Sequence, residues 1–229
     1  MPNRTRLPRL LGEFLVIVVG VFVALAGESW YQSWSEGRGL EGYLDRMTVD
    51  LAADSAAFEF VLERLDRKDS HLDATAAVAA GLAEPDSSFV ETLRGTNSFA
   101  FRTPTAQRAT YDDLIATGNL RLIRDVEVRA GIGGYYDHIG QQWERIDRQR
   151  TDYPHMVNRL DPSYWESGAL AAAGPRMRQQ AVDSIRTLRF MNLLSAESRL
   201  STFQQTVAQD ALDRVTELLG AVRRLRESI

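Results

Sequence analysis

Two apolar patterns of different kinds follow one another in the first third of the chain. Residues 14–27 (FLVIVVGVFVALAG) contain no charge and no proline. With Leu10, Leu11 and Gly12 in front, residues 10–27 form a helix of about 27 Å, near the thickness of a bilayer core. Trp30, Tyr31 and Trp34 come next, and such rings form the aromatic belt expected where a helix leaves a membrane. Gly37, Gly39 and Gly42 read as a flexible joint. Beyond them the pattern changes. Leu44, Leu51, Phe58, Leu65 and Leu72 recur every seven residues, with Leu40, Met47 and Val61 in the second seam position. This is the stripe of a long amphipathic helix. The polar Asp54 in the seam favours a bundle core over a strict coiled coil. The helix should end near Gly81, ahead of Pro85.

Shorter helical patterns follow. One starts at Ser87-Ser88 and ends near Gly95. Residues 96–105 read as a loop, with Phe99 and Phe101 as core plugs. Pro104 leads a helix through Tyr111, Leu114 and Ile115, stopped by Gly118. After a tight connector, Asp125 is placed to cap the next helix. There Ile132, Tyr136, Ile139, Trp143 and Ile146 share one face. Gly131, Gly133 and Gly134 weaken that helix unless they serve close contact with a neighbour. Pro154 is expected to kink its end, and residues 160–174, with Tyr164 and Trp165, read as a loop. Gly174-Pro175 starts a further helix. The last pattern runs from Leu193 through Leu200, Val207, Ala211, Val215, Leu218 and Val222 to Leu225. Its length suits an antiparallel pairing with the 40–80 helix. No strand pattern of useful length occurs.

The expected fold is therefore all-α: a single N-terminal transmembrane helix followed by an extracytoplasmic helical bundle with two long antiparallel helices. Residues 1–9 would be a cytoplasmic tail, 10–34 the anchor with its belt, and 35–229 the bundle. Arg4, Arg6 and Arg9 set the direction, with the bundle outside the cytoplasm. Ala24-Leu25-Ala26 also fits a signal-peptidase site, so cleavage after Ala26 is the rival to a retained anchor. Both readings export residues 28–229. A nine-residue tail is too short for a cytoplasmic output module. Gly20, Ala24 and Gly27 form a small-residue stripe suited to packing against another membrane helix. Glu13 sits near the boundary, one turn from Arg9.

Composition removes several classes of chemistry. The net charge of −4 argues against nucleic acid as a partner, which calls for a clustered basic surface. No cysteine is present, so disulfides, thiolate catalysis and cysteine-based zinc sites are excluded. Lys68 is the only lysine among 27 basic residues. The three histidines, His71, His138 and His155, form no Glu-x-x-His pair of the kind that di-metal bundles use. Gly131-x-Gly133 lacks the third glycine and the preceding strand of a dinucleotide fingerprint. Tyr135, Tyr136, Asp137 and His138 could line a pocket beside Asp112 and Asp113. Packing and capping account for the same residues. Arg223, Arg224 and Arg226 could touch anionic headgroups or simply complement the helix dipole.

The stretches EFLVIVVGVFVALAGESWYQSWSE, YLDRMTVDLAAD and TYDDLIATGNLRLIRDVEVRAGIGGYYDHI resemble a widespread bacterial family of unknown function, with one N-terminal membrane helix and an outer helical domain. The residues that carry the likeness are Glu13, Gly20, Ala24 and Trp30, then Tyr111, Leu114, Gly118, Leu120, Ile123, Tyr135 and Tyr136. It covers residues 10–150. Around Gly27-Glu28-Ser29 the chain departs from the pattern. The resemblance implies a retained anchor in the bacterial inner membrane and a periplasmic domain, and it implies no catalytic residue.

The leading functional expectation is a non-enzymatic structural or accessory subunit with no catalytic residue, cofactor or metal. Its anchor would place the bundle beside a larger membrane assembly, such as an energy-transducing respiratory or photosynthetic complex. Its partners would be other membrane subunits and the lipid bilayer, with a homo-oligomer also compatible. The alternative is a periplasmic sensor or ligand-binding bundle with an apolar pocket near Tyr136, Trp143 and Trp165. An enzyme built on the Tyr/Asp/His cluster is the third reading.

Overall fold

A computed structural model describes residues 7–86, 88–97, 105–160 and 174–229, without the side chains of residues 7–17, 24, 26, 29, 31–36 and 174–178. The loops expected around Phe99 and Phe101 and around Tyr164 and Trp165 lie outside the described residues, as do Pro104 and the side chains of Glu13, Ala24, Tyr31 and Trp34.

The described chain is all-helical. α1 (Leu7–Ala79) and α7 (Leu188–Glu227) are the long elements. Between them come α2 (Phe89–Thr96), α3 (Ala109–Ala116), a 3₁₀ turn (Asn119–Leu122), α4 (Val126–Arg148), α5 (Tyr153–Leu160) and α6 (Gly174–Ile185). α1 spans 73 residues, about 110 Å at 1.5 Å per residue. The joint expected at Gly37, Gly39 and Gly42 is absent: α1 passes through all three without a break. Glycine lowers helix propensity, but three isolated glycines do not end a helix held by packing on its C-terminal side. Among the described residues no helix is long and apolar enough to cross a membrane. The uncharged run 14–27 lies partly outside the side chains described there.

α1 stops where the sequence loses bulk. Gly81 takes φ +73°, and the Leu82 N–H closes back on the Ala77 carbonyl at 2.9 Å. Gly118 does the same after α3, at φ +68°. Asp125 caps α4 by accepting from the Glu127 and Val128 N–H groups, which satisfies two donors of the first turn. Thr187 caps α7 through Phe190 N. The kink expected at Pro154 does not arise. α4 ends at Arg148, and Pro154 is the second residue of α5, where a missing N–H costs nothing.

α1 and α7 run antiparallel. Asp45 meets Arg226 near one end of the pair, and Lys68 meets Glu197 near the other. The heptad residues Leu44, Leu51, Phe58, Leu65 and Leu72 run from just before Asp45 to just past Lys68, and all are closed to solvent. Full burial of each such side chain contributes about 1.5–3 kcal/mol. The core has two main bodies. One joins α1 to α3, α4 and α7 through residues such as Leu51, Leu114, Ile132 and Val215. The other joins the end of α1 to α2, α5, α6 and α7 through Leu72, Leu93, Tyr153 and Phe190. A small cluster of Val61, Leu65 and Ala208 links them along the seam.

Candidate functional site

The polar seam residue Asp54 is almost fully buried, at 2% exposure. Its carboxylate accepts from the Tyr135 hydroxyl and from the Gln107 N–H, each at 2.8 Å. One turn earlier, Asp50 accepts from the Thr110 N–H at 3.3 Å. Arg108, the N-cap residue of α3, makes no side-chain capping bond to that helix's N–H groups. Two carboxylates of α1 thus serve the N–H groups at the start of α3. Burial pushes the Asp54 carboxyl above its ordinary range, against the pull of its two hydrogen bonds. It pushes the Tyr135 phenol up as well, and the Asp54 charge adds to this. Tyr135 is therefore a proton donor fixed in place, not a poised base.

Tyr136 lies beside Tyr135, the two rings edge to face with centroids 5.0 Å apart. Its hydroxyl donates to the Gln107 carbonyl at 2.9 Å, and its ring stacks on Tyr111 with centroids 4.4 Å apart. The Arg108 guanidinium lies over both rings. Tyr135 and Tyr136 thus converge on Asp54 and Gln107 inside the core, while His138 pairs with Asp210 of α7. Asp112 and Asp113 pair on the surface with Arg108 and Arg46, and Arg108 links Asp112 to the Tyr111 and Tyr136 rings.

A cleft of about 670 Å³ does open between α4 and α7. Its α4 wall carries Gly131, Gly134, Tyr135 and His138, and its α7 wall carries Arg214, Leu218, Arg224 and Leu225. Gly134 leaves open space, whereas a Cβ on Gly131 would sit 3.4 Å from Leu218 Cδ1. Of the four glycines of α4, Gly131 thus lies at ordinary van der Waals distance from α7, and none needs to be glycine for lack of room. His138 Nε2 lies 2.5 Å from Asp210 Oδ2, which also accepts from Arg214 Nε at 3.0 Å. The Arg214 hydrogen bond is the chief cause of a lowered Asp210 carboxyl. No hydroxyl or thiol is hydrogen-bonded to His138 among the described residues, so no nucleophile is paired with it as acyl-transfer chemistry requires.

Farther along the seam, Lys68 Nζ meets Glu197 Oε1 at 2.5 Å, with side chains only 6% and 5% exposed. Thr151 donates to the other Glu197 oxygen. Ser201 Oγ and Gln204 Oε1 are buried nearby in sequence and have no protein partner. Among the described residues, no group of three or more histidine or acidic side chains is arranged to hold a metal ion.

Gly20 and Gly27 are exposed, and a Cβ on either would meet nothing within 4 Å. Ala24 belongs to α1, but its side chain lies outside the described residues. Trp30 is 71% exposed; the side chains of Tyr31 and Trp34 lie outside the described ones. The tertiary caps Asp50 and Asp54 and the ionic layer at Lys68 escape a reading of the sequence. Asp54 alone signalled itself, as a carboxylate in a hydrophobic register.

The chain matches no family model, no curated protein and no solved structure.

Proposed function

We propose that this protein is a membrane-anchored structural subunit. Residues 10–27 of α1 would be its retained transmembrane anchor, with Gly20, Ala24 and Gly27 against a neighbouring membrane helix and Trp30, Tyr31 and Trp34 at the interface. The bundle would stand in the periplasm of a bacterial cell and brace or recruit other subunits. The observation that carries this reading is the continuity of α1. The uncharged apolar run and the core helix of the bundle are one helix, so a force or position set at the anchor passes directly to the bundle. Unbroken hydrogen bonding makes a helix a stiff spacer.

The test is an alkaline carbonate wash of native membranes. The chain stays in the pellet and leaves it only with detergent, at the mass of the uncleaved sequence. Release by alkali, or loss of the first 26 residues in the mature protein, refutes the anchor.

A second reading, a periplasmic ligand-binding bundle, draws on the α4–α7 cleft. Its wall is part charged and part apolar, as in sites for small amphipathic molecules. Thermal-shift screening of the full chain against a metabolite panel decides it: a saturable rise in Tm, lost on Gly134→Leu, supports the reading, and none counts against it.

A further inference from the structure

Three tyrosine rings form one run from the edge of the bundle into its core. Tyr111 of α3 is half-buried. Its ring stacks on Tyr136 with centroids 4.4 Å apart, and Tyr136 meets Tyr135 edge to face at 5.0 Å. Tyr135 and Tyr136 are both buried. The run ends on a base. The Tyr135 hydroxyl donates to Asp54 Oδ2, and the Gln107 N–H donates to Asp54 Oδ1, each at 2.8 Å. Both carboxylate oxygens therefore accept, as the ionised form requires. The Tyr136 hydroxyl has no such partner. It donates to the Gln107 carbonyl and lies 3.6 Å from Met47 Sδ, and neither group takes up a proton. Packing alone accounts for the ring contacts. It does not call for a buried carboxylate, whose charge is costly to bury; Tyr136 is satisfied by a neutral carbonyl. The surrounding charge also has a direction. The Arg108 guanidinium lies over Tyr111 and Tyr136, 5.3 and 5.4 Å from their centroids. Among the described residues no cation lies over Tyr135, which has Asp54 instead. Positive charge is therefore better placed on Tyr135 than on the two rings beside the arginine.

We propose that Tyr135 is a redox-active tyrosine, oxidised reversibly by one electron through Tyr136 and Tyr111 while its phenolic proton passes to Asp54. The co-reactant is an outer-sphere one-electron oxidant at the Tyr111 face. That oxidant gains the electron and is reduced. The O–H bond of Tyr135 breaks, and an O–H bond forms on Asp54 Oδ2. The products are a neutral phenoxyl radical and a neutral carboxylic acid. The step removes a buried charge instead of creating one, and burial already holds the Asp54 carboxyl above its ordinary range. Return of an electron sends the proton back to the phenol. The chain has no cysteine, so no thiol competes as the electron donor. The buried position of Tyr135 keeps the radical from meeting a second one in solution. Nothing in this step depends on the anchor or on the α4–α7 cleft.

The test uses the full chain in detergent with tris(bipyridine)ruthenium(II) and persulfate, in which a light flash generates the ruthenium(III) oxidant. Electron paramagnetic resonance then follows the radicals. The parent chain should give a slowly decaying tyrosyl signal that Tyr135→Phe abolishes and Tyr43→Phe leaves in place. Absence of the slow signal in the parent overturns the proposal, and so does an equal signal in Tyr135→Phe with unchanged helical circular dichroism. Asp54→Asn keeps an acceptor for the phenol but cannot take its proton, so the signal should form about a hundredfold more slowly. An unchanged rate overturns the role of Asp54. Tyr111→Leu interrupts the run at the surface and should lower the yield; an unchanged yield overturns the route. The parent chain in heavy water gives a readout that depends on no variant. The signal should form more slowly there, because a proton moves with the electron, and equal rates in the two solvents overturn the coupled transfer.

Discussion

Lys68 and Glu197 form an ion pair across the α1–α7 seam, 2.5 Å apart and almost closed to solvent, though 129 residues separate them in the chain. An apolar seam alone would let two long helices slide by a heptad. One buried pair of opposite charges penalises every other register, because each slip strands both charges away from water.

Removing one partner should therefore cost more than removing both. Lys68→Met or Glu197→Gln alone is expected to lower stability by about 3–5 kcal/mol, whereas Lys68→Met with Glu197→Leu stays close to the parent or above it. Denaturant unfolding of the three variants checks this. Additive losses would show that the pair does not act as a unit.

Asp54 gives the bundle a pH dependence of defined sign. Burial raises its folded-state pKa above the unfolded value. Its contribution is fully present below the ordinary carboxylate range and is lost as pH rises through the folded pKa. Asp54→Asn should flatten the fall in Tm across that window. Asp54→Ala leaves the Tyr135 hydroxyl and the Gln107 N–H without their acceptor and should cost about 1–3 kcal/mol at any pH. Thermal melts from acid to neutral pH distinguish the two; an Asn variant as steep as the parent would contradict the assignment.

Gly118 turns the chain from α3 into the 3₁₀ segment at φ +68°. Gly118→Ala forces a Cβ into the left-handed region and should cost about 1–2 kcal/mol. Gly118→Asn should cost less, since Asn tolerates that region better. Equal midpoints for all three in urea would show that this turn does not constrain the fold.

Much of this architecture was legible in the hydrophobic register. The 44–51–58–65–72 stripe, the α4 face from Ile132 to Ile146 and the antiparallel long pair follow from periodicity, and Gly81, Gly118 and Asp125 marked their boundaries by backbone chemistry. The joint at Gly37, Gly39 and Gly42 was misread because propensity is a weak signal beside packing. The caps that Asp50 and Asp54 supply to α3 join residues more than fifty positions apart, and no local pattern announces such a pairing.

The continuity of α1 has its own check. Gly37 sits inside the helix, and a Cβ there meets nothing within 4 Å. Gly37→Ala should raise stability by up to about 1 kcal/mol through helix propensity. A hinge at this point would gain nothing from the change, and the thermal midpoint would stay where it is.

The most direct test of the structural-subunit account is purification of the full chain from native membranes in a mild detergent, followed by sizing and mass spectrometry of the co-migrating material. The account predicts a stoichiometric complex with at least one other membrane protein. A chain that migrates only with copies of itself would contradict it and turn attention to the α4–α7 cleft.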